Sequence, residues 1–135
     1  MRIVFLADVP AMGYATYYVP WGKAPAATPS PFTVDVASNR FENQFYRVRL
    51  DAATGAISSL LDKRNGRELV RQASVYGFNE LVAFEDTDED IGMHLTGKRW
   101  LGREHASTIK VVENGPVRLV IEVSGQFLDT STRQG

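Results

Sequence analysis

Asp86-Thr87-Asp88-Glu89-Asp90 places carboxylates at alternate positions, a pattern that can chelate a hard cation through oxygen ligands. The EF-hand form of that chemistry fails. Its loop needs Gly at the sixth position and Glu at the twelfth, where this chain has Ile91 and Gly97. What remains is a calcium site of another type, or a solvated acidic loop. The same carboxylates can act as general acid and base only if their environments separate their pKa values. His94 and His105 are the only histidines and lie eleven positions apart, across Trp100. With Asp86 or Asp90 they form a zinc site only if the fold converges them. The alternative is a loop histidine and a strand-edge histidine bonded to backbone.

Lys98-Arg99-Trp100 with Arg103 is a basic and aromatic cluster of the kind that stacks a sugar ring or a base, or else a Trp packed under arginine stems. A net charge of −1 gives no electrostatic footprint for nucleic acid or an anionic membrane, so neither is expected as a partner. With no cysteine, disulfides, thiolate metal sites and cysteine nucleophiles are excluded. Ser58, Ser59 and Ser74 lack a partnered His and Asp. Neither a glycine-rich phosphate loop leading into a helix nor a Gly-x-Ser-x-Gly elbow occurs.

These groups must be held by strands. No long segment keeps helical spacing, Pro and Gly punctuate the chain, and Val, Tyr and Phe recur in short runs, so the fold class is all-β. The clearest unit is residues 45–70. Tyr46, Val48 and Leu50 alternate with Arg47 and Arg49, Asp51-Ala52-Ala53-Thr54-Gly55 turns the chain, 56–61 returns, and Asn65-Gly66 marks a second turn. Strands are expected at 2–8, 14–19, 32–37, 41–50, 56–61, 79–84, 108–113 and 117–124. The apolar run 3–7, broken by Asp8, is too short for a membrane helix or a secretory signal core and reads as a strand. Residues 85–97 form the longest irregular stretch, where function concentrates. A chain of 135 residues suits one module: an N-terminal strand pair at 1–20, a Pro/Ala-rich linker at 21–31 and a β-sandwich domain at 32–135.

Phe41-Glu42-Asn43-Gln44-Phe45-Tyr46, Asp51, Thr54-Gly55-Ala56-Ile57, Ser59-Leu60, Asp62-Lys63 and Gly66-Arg67-Glu68-Leu69-Val70 follow one another in order. Together they resemble the opening of the C-terminal β domain of glycoside hydrolase family 38 α-mannosidases. Upstream, Val9-Pro10-Ala11-Met12-Gly13-Tyr14-Ala15-Thr16-Tyr17 is similar to the strand preceding that domain. Asn79-Glu80-Leu81, Phe84-Glu85-Asp86 and Glu113-Asn114-Gly115-Pro116-Val117-Arg118 continue the likeness.

The resemblance implies a galactose-mutarotase-like supersandwich of antiparallel sheets attached to an α/β catalytic domain. That domain supplies the family's zinc and aspartate nucleophile, so no cofactor is expected in this chain, and the chain alone is expected to be inactive. Relatives carry additional strands beyond the position of Gly135, so an incomplete sandwich is expected, self-associating through exposed strand edges. The expected function is to frame a mannoside-binding cleft beside the catalytic domain. Asn79 offers an amide to sugar hydroxyls, Asp86 two acceptors and Trp100 a stacking face. Asn79 can instead satisfy a strand-end carbonyl, and Asp86 can cap a turn. A free-standing carbohydrate-binding module using Trp21, Trp100 or Tyr76 is the alternative, followed by a purely structural interaction domain. With neither cysteine nor signal, the expected location is the cytoplasm.

Overall fold

The arginine-flanked strand at Tyr46–Leu50 is the centre of the molecule's largest sheet. The computed structural model describes residues 3–20, 22, 28–71, 74–87, 94–105 and 107–127. They are all-β and antiparallel throughout. One sheet has five strands in sequential order: β1 (Thr33–Asp35), β2 (Arg40–Glu42), β3 (Tyr46–Leu50), β4 (Ile57–Asp62) and β5 (Arg67–Glu68). Two ribbons follow, β6 (Val82–Asp86) with β7 (Leu95–Leu101), and β8 (Ser107–Asn114) with β9 (Leu119–Gly125). A short 3-10 helix, Gly102–Glu104, links the ribbons.

The β3–β4 turn forms as its residues dictate. The Asp51 carboxylate accepts from the Ala53 and Thr54 amides at 3.0 and 2.8 Å and from the Thr54 hydroxyl at 2.9 Å. Gly55, at φ +70°, then reverses the chain where a side chain would be strained. At the β4–β5 turn, Asn65 accepts from the Arg67 amide and Gly66 sits at φ +69°. The β8–β9 turn is closed by the Gly115 amide on the Arg118 carbonyl and by the Glu113–Arg118 ion pair.

Four expectations are corrected. Residues 3–20 contain no strand, so the pair at 2–8 and 14–19 is absent from the described residues. A strand exists only when its amides find a ladder, and here both the amide and carbonyl of Asp8 are taken by the Tyr17 hydroxyl, at 2.6 and 2.7 Å. The single strand expected at 41–50 is two. The Asn43 side chain accepts from the Phe45 and Tyr46 amides, each at 2.8 Å, and folds β2 back onto β3. Of the irregular stretch expected at 85–97, both described ends are strand, for Glu85 and Asp86 end β6, Leu95 to Gly97 begin β7, Asp86 pairs with Leu95 and the Thr87 amide bonds the His94 carbonyl, while residues 88–93 lie outside the described residues. The strand expected at 79–84 begins only at Val82. The linker at 21–31 lies mostly outside the described residues, but Ser30 at its end hydrogen-bonds Asn114 on the β8–β9 turn.

Among the described residues, Phe41, Leu50 and Leu101 are the buried apolar side chains, and Asp62 is the buried charge. The Arg64 guanidinium holds Asp62 at 2.9 and 2.8 Å and keeps its carboxyl below the usual range. The three sheets meet at one place. The Ser107 amide bonds the Ala53 carbonyl, the Ile57 amide bonds the Phe78 carbonyl, and the Gly102 amide bonds the Leu81 carbonyl.

Candidate functional site

The meeting point of the sheets is organised by one carboxylate. Glu80, its side chain 2 % exposed, accepts from the Gly77 amide at 2.6 Å, the Arg103 amide at 3.2 Å, Arg103 Nε at 2.6 Å and Arg103 Nη2. Nη2 also donates to the Val75 carbonyl at 2.9 Å, so one guanidinium ties the loop before β6 to the 3-10 helix after β7. Leu101, at the end of β7, donates its amide to Glu104 at 3.2 Å and fixes where that helix starts.

The Arg103 hydrogen bonds, reinforced by the Gly77 amide, lower the pKa of Glu80 from 4.5 to about 2, against the opposing effect of burial. A carboxyl so held stays ionised and fully engaged at neutral pH. It serves as neither a proton donor nor a useful base. Among the described residues, no second carboxylate joins Glu80 in the cleft to make the pair that glycoside hydrolysis requires.

Beside this latch lies a cleft of about 270 Å³, walled by Leu81, Val123 and Phe127 and floored by Gly55. Asn79, Arg103, Ser107 and Gln126 give it polar edges. Asn79 is exposed in a left-handed turn at φ +64°, a conformation asparagine tolerates, and its amide has no partner among the described residues. The volume lies just below the roughly 300–1,000 Å³ of sites for drug-sized ligands, which suits a small ligand.

The three residues singled out from sequence are not gathered at one site. Asn79 is at the cleft. Asp86 lies at the far end of the β6–β7 ribbon, opposite Leu95, where it accepts from the His94 amide at 3.0 Å. Trp100 pairs with Ala83 nearer the cleft, half-buried, with Lys98 Nζ 4.7 Å above its ring and Lys98 in turn bonded to Glu85 at 2.9 Å. The cation over Trp100 is thus a lysine, whereas Arg99 reaches Tyr76. Tyr76 meets Phe84 edge-on at 6.3 Å, and Trp21 lies outside the described residues. Asp88, Glu89 and Asp90 of the acidic pattern also lie outside them. No three His, Asp or Glu side chains converge among the described residues. His94 is exposed at the start of the returning chain, and His105 bonds through its amide to the Gly102 carbonyl. The Glu80–Arg103 latch had no local signal, since its partners stand 23 positions apart.

Residues 41–134 match the glycosyl hydrolases family 38 C-terminal domain. The chain belongs to that family. Over 89 residues it is 33 % identical to alpha-mannosidase G of Dictyostelium discoideum, a match covering 61 % of this chain and 8 % of that protein. The chain therefore corresponds to a small part of that relative's length. No solved structure matches it. In this family 38 C-terminal domain the matched region takes in the five-stranded sheet from β2 onward, both ribbons and the cleft between them, while the self-closed segment 3–20 precedes it.

Proposed function

We propose that this chain is a non-catalytic β domain of an α-mannosidase-like glycoside hydrolase, and that its cleft frames a carbohydrate site beside a separate catalytic domain. Zinc and the nucleophile belong to that other domain. The observation that carries this reading is the cleft at the junction of the three sheets, in a chain of family 38. Its apolar wall suits the C–H face of a sugar ring, and the Asn79 amide and Ser107 hydroxyl at its edge suit ring hydroxyls. Among the stacking platforms the alternative reading needs, Tyr76 and Trp100 are already engaged by Arg99 and Lys98. The free-standing module is accordingly the weaker reading.

Titration of the isotopically labelled chain with methyl α-mannoside tests this. Shifts centred on Asn79, Ser107 and Gly125 are expected, with affinity on the order of millimolar, because binding at an open cleft nearly balances the desolvation of hydroxyls. Absence of shifts at saturating sugar, or shifts confined to the distal β6–β7 turn, would overturn the assignment of this cleft. Hydrolysis of an aryl mannoside by the purified chain with zinc, abolished by substitution within it, would overturn the non-catalytic reading.

A further inference from the structure

Asparagine followed by glycine reacts with itself in water. The glycine amide nitrogen attacks the asparagine side-chain carbonyl because no Cβ stands in its way, and asparagine is accordingly among the thermolabile residues. The chain has two such pairs, Asn65-Gly66 and Asn114-Gly115, and the fold treats them differently. At the β8–β9 turn the Gly115 amide is engaged on the Arg118 carbonyl at 3.0 Å, the Asn114 side-chain oxygen takes the Ser30 hydroxyl, and the Glu113–Arg118 ion pair brackets the turn. The β4–β5 turn is described throughout, and both Asn65 and Gly66 are exposed in it. A β-carbon on Gly66 would meet nothing within 4 Å, and the Gly66 amide has no hydrogen-bond partner among the described residues. The Arg67 amide donates to the Asn65 side-chain oxygen at 3.0 Å. That bond closes a ring containing both Asn65 Cγ and the Gly66 nitrogen, and it draws electrons from the carbon to be attacked.

We infer that Asn65-Gly66 is a self-modifying site, at which solvent water converts the asparagine to iso-aspartate and aspartate, and that the iso-aspartyl product releases β5. The Gly66 nitrogen gives up its proton to hydroxide and bonds to Asn65 Cγ. The Cγ–Nδ2 bond breaks, ammonia leaves with a proton returned by water, and a cyclic imide remains. Water then adds to one imide carbonyl and opens the ring. Opening at the Asn65 main-chain carbonyl leaves the chain running through Cγ, one methylene longer, with a new carboxylate beside it. β5 consists of Arg67 and Glu68, paired with Asp62 and Leu61, so its register depends on the length of this turn. The sheet edge hangs on that register. Glu68 accepts from the Ser59 hydroxyl at 2.6 Å and the Leu60 amide at 2.8 Å, and the Leu69 amide bonds the Leu60 carbonyl at 2.9 Å. A longer turn loosens these bonds together.

The test is to hold the full chain in mildly alkaline buffer and follow both asparagines by peptide mass spectrometry, each product carrying the mass gain of an acid over an amide. Asn65 should react roughly threefold to tenfold faster than Asn114, the effect of one net hydrogen bond restraining the Gly115 amide. In concentrated urea the two rates should draw together, because the difference belongs to the fold. Gly66→Ala should slow the reaction at Asn65 and leave Asn114 unchanged. In the purified iso-aspartyl product the Leu69 amide should exchange its hydrogen at least about fivefold faster than in the unmodified chain, as local opening of β5 requires. Equal or faster reaction at Asn114 in the folded chain, or a ratio of rates that urea leaves unchanged, would overturn the assignment of the site. A Leu69 amide equally protected in the iso-aspartyl product would overturn the release of β5.

Discussion

Val123 lies directly over Gly55, its Cγ1 only 2.2 Å from where a β-carbon on that glycine would stand. This is the contact by which β9 seats on the β3–β4 turn. Two separate costs therefore meet in Gly55→Ala: the left-handed φ, at roughly 1–2 kcal/mol, and displacement of Val123, at roughly 1–3 kcal/mol. We expect a loss of about 3 kcal/mol in urea unfolding, with an unchanged denaturant slope. Gly66→Ala has a similar φ but open space around it, so it should cost only about 1 kcal/mol. Equal losses for the two variants would show that Val123 does not press on the turn.

Glu80 sets an acid limit on stability. Its pKa in the folded chain is about 2 against 4.5 for the free group, with the Arg103 hydrogen bonds as the largest cause. A depressed carboxyl stabilises the fold fully above pH 4.5, and the contribution fades as pH falls toward 2. Arg103 is 40 % exposed, so water weakens the pair, and about 2 kcal/mol is a reasonable size for the contribution. Stability measured from pH 6 to pH 2 should fall less steeply in Glu80→Gln than in wild type. Parallel curves would mean that the latch does not hold in solution.

The turns were legible from sequence because each is local. Asp51 through Gly55 and Asn65-Gly66 carry their own acceptors and left-handed residues, and β8 alternates in burial over its whole length. β7 was hidden, since Gly97-Lys98-Arg99 reads as loop, and only its pairing of Leu101 and Trp100 with Val82 and Ala83 makes it a strand. The opposite error occurred at residues 3–20. Apolar runs there promised strands, yet pairing is a non-local property and the Tyr17 hydroxyl occupies the Asp8 backbone instead. At the cleft, Asn79 was picked out through the family likeness, as an amide at the start of an expected strand. The pairing of Glu80 with Arg103 beside it was not visible, because ion pairing across 23 residues leaves no periodicity.

Asn79 separates backbone from recognition. Asn79→Gly keeps the left-handed turn and removes the amide, so stability should change by less than about 0.5 kcal/mol while mannoside-induced shifts at Ser107 weaken severalfold. Asn79→Ala should lose the same recognition and about 1 kcal/mol of stability as well. Trp100→Phe should leave sugar affinity unchanged, since Trp100 is covered by Lys98 and does not line the cleft. If Trp100→Phe abolished the shifts and Asn79→Gly did not, the ligand would sit on the β6–β7 ribbon instead.

Asp51 braces the turn that carries Gly55 beneath Val123, its carbonyl accepting from the Gly55 amide at 2.9 Å. One of its carboxylate oxygens accepts from the Ala53 amide, the Thr54 amide and the Thr54 hydroxyl, and these bonds, led by the Thr54 amide, lower its pKa. What the turn needs is an acceptor at that atom, and charge is secondary. Asp51→Asn retains the oxygen and should cost less than about 0.5 kcal/mol, whereas Asp51→Ala leaves those donors to water and should cost about 1–2 kcal/mol. Loosening the turn should also free Gly55 from Val123, so Asp51→Ala and Val123→Ala should be non-additive by about 0.5 kcal/mol or more in a double-mutant cycle. Strict additivity would show that β9 seats on the five-stranded sheet without help from this turn.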